Sequence, residues 1–214
     1  MAPSGLDAIA EWATGLMETL GAPGAGIAIA LENLFPPLPS EVILPLAGFT
    51  VSKGEMVLWQ VLVWTTVGSL AGALALYGVG AMLGKERVYA LVDRIPLLKT
   101  DDVRRTEDWF AHHGRKTVFF GRMIPLFRSL ISIPAGFERM PLPTFALYTT
   151  LGSFIWNVLL VMAGYLLGEQ WDLVETYVGI FTYVVIGLVV LAFVVFVWKR
   201  LAERRRAASG DRTG

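Results

Sequence analysis

The stretch RKTVFFGRMIPLFRSLISIPAGF, residues 115–137, decides how this chain is read. It is apolar enough to resemble membrane sequence. Yet Arg122 and Arg128 interrupt it, Pro125 lies between them, and Pro134-Ala135-Gly136 closes it. A helix that crosses a bilayer needs about 20 consecutive apolar residues, and no uncharged run inside this stretch reaches ten. A charge at the bilayer centre costs about 3 kcal/mol or more, so such side chains face a partner or a wet cavity. Proline inside a helix removes a backbone hydrogen bond and tends to break the rod. The stretch therefore predicts a broken, re-entrant segment that presents two cations to something anionic.

The whole chain fits that setting. Its 214 residues are 55% hydrophobic and only 17% charged, with a mean hydropathy of +0.58. That is too apolar for an ordinary soluble domain and long enough for one membrane bundle. There is no cysteine, which excludes disulfides, thiolate metal sites and cysteine nucleophiles. The only imidazoles are the adjacent His112 and His113, so a metal site, a cofactor site or a Ser-His-Asp triad is not expected. The formal net charge is zero, and no nucleic-acid partner is expected.

Outward from the stretch, uncharged sequence at residues 56–84, 140–168 and 176–198 is long enough to span. Residues 85–116 form a polar, amphipathic segment with eight Lys/Arg and six Asp/Glu; Thr100-Asp101-Asp102 reads as a helix start and Gly114 as its stop. Near the N-terminus, Leu6, Ile9, Ala10, Ala13, Leu16, Met17 and Leu20 recur at helical spacing, opposite Asp7, Glu11, Thr14 and Glu18. Residues 1–20 are thus an amphipathic helix, lying either on lipid or on neighbouring protein. It lacks a basic n-region, so a cleaved signal peptide is not expected. After it come two short uncharged runs separated by the break FPPLPSE, residues 35–41, which Glu32 and Glu41 flank. Pro36, Pro37 and Pro39 forbid a single helix there, so this too reads as a hairpin entering and leaving on one side. The tail, residues 199–214, holds six Lys/Arg against two acids.

The chain repeats itself. TTVGSLAGALALYGVGAMLG (residues 65–84) aligns with TTLGSFIWNVLLVMAGYLLG (residues 149–168) at an offset of 84. At an offset of 88, Pro37-Leu38 matches Pro125-Leu126, and Ala47-Gly48-Phe49 matches Ala135-Gly136-Phe137. The expected architecture is all-α and polytopic, a single membrane domain with two repeats (residues 25–84 and 117–168). Each is a re-entrant hairpin followed by a spanning helix, and a C-terminal span at 176–198 completes the bundle. Counting crossings makes the repeats inverted. Lys/Arg are nearly absent from residues 1–54 and 169–175 and abundant in 85–116 and the tail, which places those two segments and the C-terminus in the cytoplasm. Inverted repeats with broken helices are a pattern of secondary transporters.

Where two such hairpins meet, Glu32 and Glu41 approach from one side and Arg122 and Arg128 from the other. The cluster is either a structural staple or a site for an anionic ligand. Arginine's planar fork suits phosphate. A buried carboxylate can carry a proton during transport, and arginine cannot.

ENLFPPLPSEVILPLAGF (residues 32–49) and GRMIPLFRSLISIPAGF (residues 121–137) resemble the two signature stretches of the DedA family of bacterial membrane proteins, also called the SNARE-associated or VTT-domain superfamily. The likeness covers roughly residues 25–170. It implies paired re-entrant hairpins, a multi-pass protein of the bacterial cytoplasmic (inner) membrane, and transport of undecaprenyl phosphate or a related anionic phospholipid, with a link to proton-motive force. By position, the family's two acidic residues fall on Glu32 and Glu41 and its two arginines on Arg122 and Arg128. The departure is Ser40-Glu41 where the family has Gly-Asp; a longer carboxylate in a stiffer loop shifts where that group sits.

The expected function is therefore a lipid transporter without enzymatic activity. Arg122 and Arg128 bind phosphate, Glu32 and Glu41 gate or carry protons, and Asn157, Pro37 and Pro125 line the path. Asn157 either reaches the site or hydrogen-bonds a neighbouring helix. The substrate and surrounding lipid, protons and a second copy of the chain are the expected partners. The alternative is a proton-coupled transporter of a small solute or inorganic anion; a lipid phosphatase ranks last, because both histidines lie in the polar segment.

Overall fold

The computed structural model describes residues 5–35, 40–94, 100–124 and 127–168. Pro37, Pro125, the span at 176–198 and the basic tail lie outside the described residues. Among those described, the chain is entirely helical: α1 (Gly5–Leu20), α2 (Ala22–Leu34), α3 (Ser40–Ser52), α4 (Leu58–Arg94), α5 (Thr100–Gly121), α6 (Phe127–Leu130), α7 (Ser132–Phe137) and α8 (Leu142–Leu166).

Two helices are long and apolar enough to cross a bilayer, Leu58–Lys85 within α4 and Leu142–Leu166. They are not buried core helices, since only 33% of each apolar window is covered by protein. Trp59, Val63, Trp64 and Val67 on one, and Leu147, Leu151, Ile155 and Leu159 on the other, stand exposed. Apolar side chains recurring at helical spacing on the outside of a bundle fit hydrocarbon as solvent, because water would leave a large unfavourable patch. Gly84 (φ 65°, ψ 168°) ends the apolar part of α4, and the helix resumes beyond it as the charged sequence predicted from Lys85 onward.

α2, α3, α6 and α7 are short, with glycine and proline standing at or inside several of them. Gly21 (φ 65°) stops α1, its N–H bonding the Met17 carbonyl, and a proline in the first turn starts α2. The stripe of α1 packs on protein: Ala13 and Met17 are buried against α2 and α3 with Ala25, Ile29 and Leu44. One expectation needs correction. Gly114 does not stop α5, which runs on to Gly121. Phe110 lies against Gly114, where a Cβ would come 3.0 Å from the ring, so this glycine serves packing within the helix and not a left-handed cap.

The packing follows the sequence repeat. α2 and α7 both pack on α4, while α3 and α5 both pack on α8. A Cβ on Gly48 would collide with the Val161 carbonyl, and one on Gly136 with the Tyr77 carbonyl. Likewise Gly80 meets Ile133, and Gly164 meets Pro45. In both pairs the span residues differ by 84 and the short-helix residues by 88, the offsets of the sequence repeat. α3 and α7 thus each rest, backbone to backbone, on the spanning helix of the other half. Tyr77 adds a buried hydrogen bond to the Met140 carbonyl (2.7 Å) and sets its ring against Phe145, centroids 4.8 Å apart and planes tilted by 36°.

Candidate anion site

Glu32 and Asn33 sit in the last turn of α2, turned inward by its packing on α4. Arg122 follows the end of α5, where its N–H still bonds the Val118 carbonyl (3.3 Å), and Arg128 lies on α6. Asn33 and Arg122 both need space that glycines provide. A Cβ on Gly72 would come 2.6 Å from Asn33 Cβ, and one on Gly152 would come 2.9 Å from Arg122 Cβ. The two spanning helices therefore each yield room for one member of a polar contact.

The contact itself is buried. Arg122 is 1% exposed, Arg128 3%, Glu32 5%, Asn33 0% and Glu41 8%. Arg128 Nη2 forms an ion pair with Glu32 Oε2. Arg122 is held differently: Nη1 donates to Asn33 Oδ1 (3.2 Å) and Nη2 to Ser132 Oγ (2.8 Å). Ser129 Oγ donates to the same Asn33 oxygen (3.3 Å). Glu32 lies within electrostatic reach of Arg128, Glu41 and Arg122, so all four residues expected from sequence belong to one cluster. The cluster is not closed, because both arginine Nε groups are buried with no hydrogen-bond partner among the described residues. An unmet buried donor costs about 1–3 kcal/mol, more when charged. Arg122 in addition faces only neutral acceptors.

Asn157 takes part elsewhere. Its Nδ2 makes long hydrogen bonds to Thr66 Oγ1 (3.5 Å) and Ser69 Oγ (3.4 Å), tying α8 to α4. Asn33, Ser129 and Ser132 went unremarked in the sequence. The available signal was their register: Asn33 adjoins Glu32, Ser129 adjoins Arg128, and Ser132 follows Arg128 one helical turn later. Among the described residues no cluster of histidine and carboxylate side chains has metal-site geometry.

Fold and cluster define a helical membrane protein with a charged interior site. The VTT domain family model matches residues 38–166, and the chain belongs to that family, the DedA family of membrane proteins. It is 41% identical to an alkaline phosphatase-like protein of Lactococcus lactis subsp. lactis, over 92% of this chain and 95% of that one. It is 33% identical to undecaprenyl phosphate transporter A of Staphylococcus aureus (84% and 90% covered) and 34% identical to undecaprenyl phosphate transporter A of Bacillus subtilis (85% and 91%). No solved structure matches it.

Proposed function

We propose that the protein carries a polyprenyl phosphate, or a related anionic lipid, across the bacterial cytoplasmic membrane, with Arg122 and Arg128 receiving the phosphate. The observation that carries this reading is the pair of buried guanidiniums with donors to spare, one of them facing no carboxylate of its own. A staple built only for stability would leave no buried donor unmet, because such a group costs about 1–3 kcal/mol, more when charged. A phosphate oxygen accepts the Nε–H groups that the protein leaves unmet. The names of the staphylococcal and bacillary relatives supply the lipid.

In this mechanism Glu32 and the phosphate compete for Arg128. Protonation of Glu32 releases the Arg128 fork, so proton binding and phosphate binding reinforce each other. Glu41, beside Glu32, takes or passes the proton. The two hairpins form inverted repeats, with the basic 85–116 segment and the C-terminus cytoplasmic, and exchange of hairpin packing opens the site to alternate sides. Asn157 couples α8 to α4 beside the path. A homo-oligomer is compatible with the exposed span faces.

The experiment is translocation of a polyprenyl phosphate in proteoliposomes, with and without a pH gradient. Wild type should move the lipid, Arg122→Ala and Arg128→Ala should not, and Glu32→Gln should move it without responding to the gradient. Normal transport by both folded arginine variants would falsify the phosphate site. The Lactococcus relative's name gives a second reading, hydrolysis of a phosphate ester. Inorganic phosphate released from the same vesicles, in proportion to the lipid consumed, would favour that reading over transport. A labelled inorganic anion accumulating instead would favour the small-solute alternative.

A further inference from the structure

The two halves end their inner helices with the same cap but different residues. α3 closes on Gly54 (φ 78°), whose N–H bonds the Val51 carbonyl (2.9 Å) while Glu55 N–H bonds that of Thr50 (3.2 Å). α7 closes on Arg139 (φ 51°), whose N–H bonds the Gly136 carbonyl (2.9 Å) while Met140 N–H bonds that of Ala135 (3.0 Å). Both are Schellman caps, which place one residue in the left-handed region. Glycine enters that region freely, and another L-residue does so at a cost of about 1–2 kcal/mol. Among the described residues Arg139 is the one non-glycine with positive φ. The cap gives no reason for an arginine, so the reason lies in what its side chain reaches.

Arg139 lines an open cavity of about 660 Å³ between α5 and the α7–α8 turn, together with His112, His113, Arg115 and Lys116. Glu138 is the one acid on that wall, and it is already paired with Lys85 at 2.9 Å. Among the described residues Arg115, Lys116 and Arg139 have no ion-pair partner, and all three are exposed. His112 is oriented by its Nδ1–H, which donates to the Asp108 carbonyl (2.7 Å). The corresponding cavity beside Gly54, about 500 Å³, mixes Glu18 and Glu55 with Lys53. The cationic character therefore belongs to one end of the molecule and is not a by-product of the cap.

We infer that this cavity is a second anion site, separate from the buried arginine pair, that takes a phosphate group with Arg139 as its fork and Arg115 and Lys116 as its charge. A phosphate there comes from one of two sources: the headgroup of an anionic phospholipid or free phosphate from solution. The test uses the full chain in phosphatidylcholine nanodiscs. One arm titrates inorganic phosphate by calorimetry, and the other measures retention of phosphatidic acid doped into the nanodiscs by native mass spectrometry. Arg139→Gly and the double variant Arg115→Gln/Lys116→Gln are compared with wild type, each with its melting temperature. The expected result is at least a tenfold loss of binding in both variants, with Arg139→Gly melting at or above wild type because glycine relieves the cap. Loss in the calorimetric arm assigns free phosphate, and loss in the lipid arm alone assigns the headgroup. Wild-type binding by both variants in both arms overturns the site. So does a loss confined to Arg139→Gly and accompanied by a lower melting temperature, which makes Arg139 structural.

Discussion

The α2–α3 half and the α6–α7 half rest on the spanning helices through the same backbone contacts, yet they carry opposite charges into the interior. Glu32 and Glu41 come from the first, Arg122 and Arg128 from the approach to and start of the second. Backbone contact at Gly48 and Gly136 is indifferent to side-chain charge, so one packing solution serves both halves while each supplies a different sign. The difference separates two roles: the repeat builds the frame, and the departures from the repeat supply the interior charges. The same holds at the helix ends, where Gly54 is only a cap and Arg139 is a cap with a guanidinium.

The sharpest way to break this comparison is to remove one sign. Glu32→Ala leaves Arg128 buried without its acid and should destabilise the protein by about 3–5 kcal/mol, measured as a shift in denaturant-induced unfolding in detergent. Glu32→Ala/Arg128→Ala should recover part of that loss, and a cycle showing no coupling would mean the pair is not formed. Gly152→Leu comes next. Its side chain must occupy the space of Arg122 Cβ and the Phe119 carbonyl, and overpacking of this kind costs about 1–3 kcal/mol; a melting temperature equal to wild type would contradict the close approach. Tyr77→Phe, which leaves the buried Met140 carbonyl unmet, should cost about 1–3 kcal/mol. Smallest is the exchange of caps. Gly54→Ala should lower stability by about 1 kcal/mol, while Arg139→Gly should raise it by a similar amount. Equal effects of the same sign would show that the two caps are not equivalent.

Much of this was legible in the sequence because membrane constraints act on single residues. A charge or a proline within an apolar run has few admissible explanations, which is why Arg122, Arg128, Glu32 and Glu41 stood out. The spans were legible for the same reason, and the break at Gly84 fell where the charge-free sequence ended. Gly114 was misread because a glycine in a polar helix looks the same whether it caps the helix or accommodates Phe110. The difference is a φ angle and a neighbour, neither of them local to the sequence.

By itself, then, the sequence determined the helical class, the two spans within the described residues, the repeat offsets and the identity of the four interior charges. These follow from hydropathy, helix-breaking residues and the cost of burying charge, all of which can be evaluated along the chain. Only the tertiary structure decided who meets whom. Glu32 takes Arg128, whereas Arg122 is left to Asn33 and Ser132, 89 and 10 residues away. That pairing depends on where glycines in α4 and α8 open space between helices, and space between helices exists only once they pack.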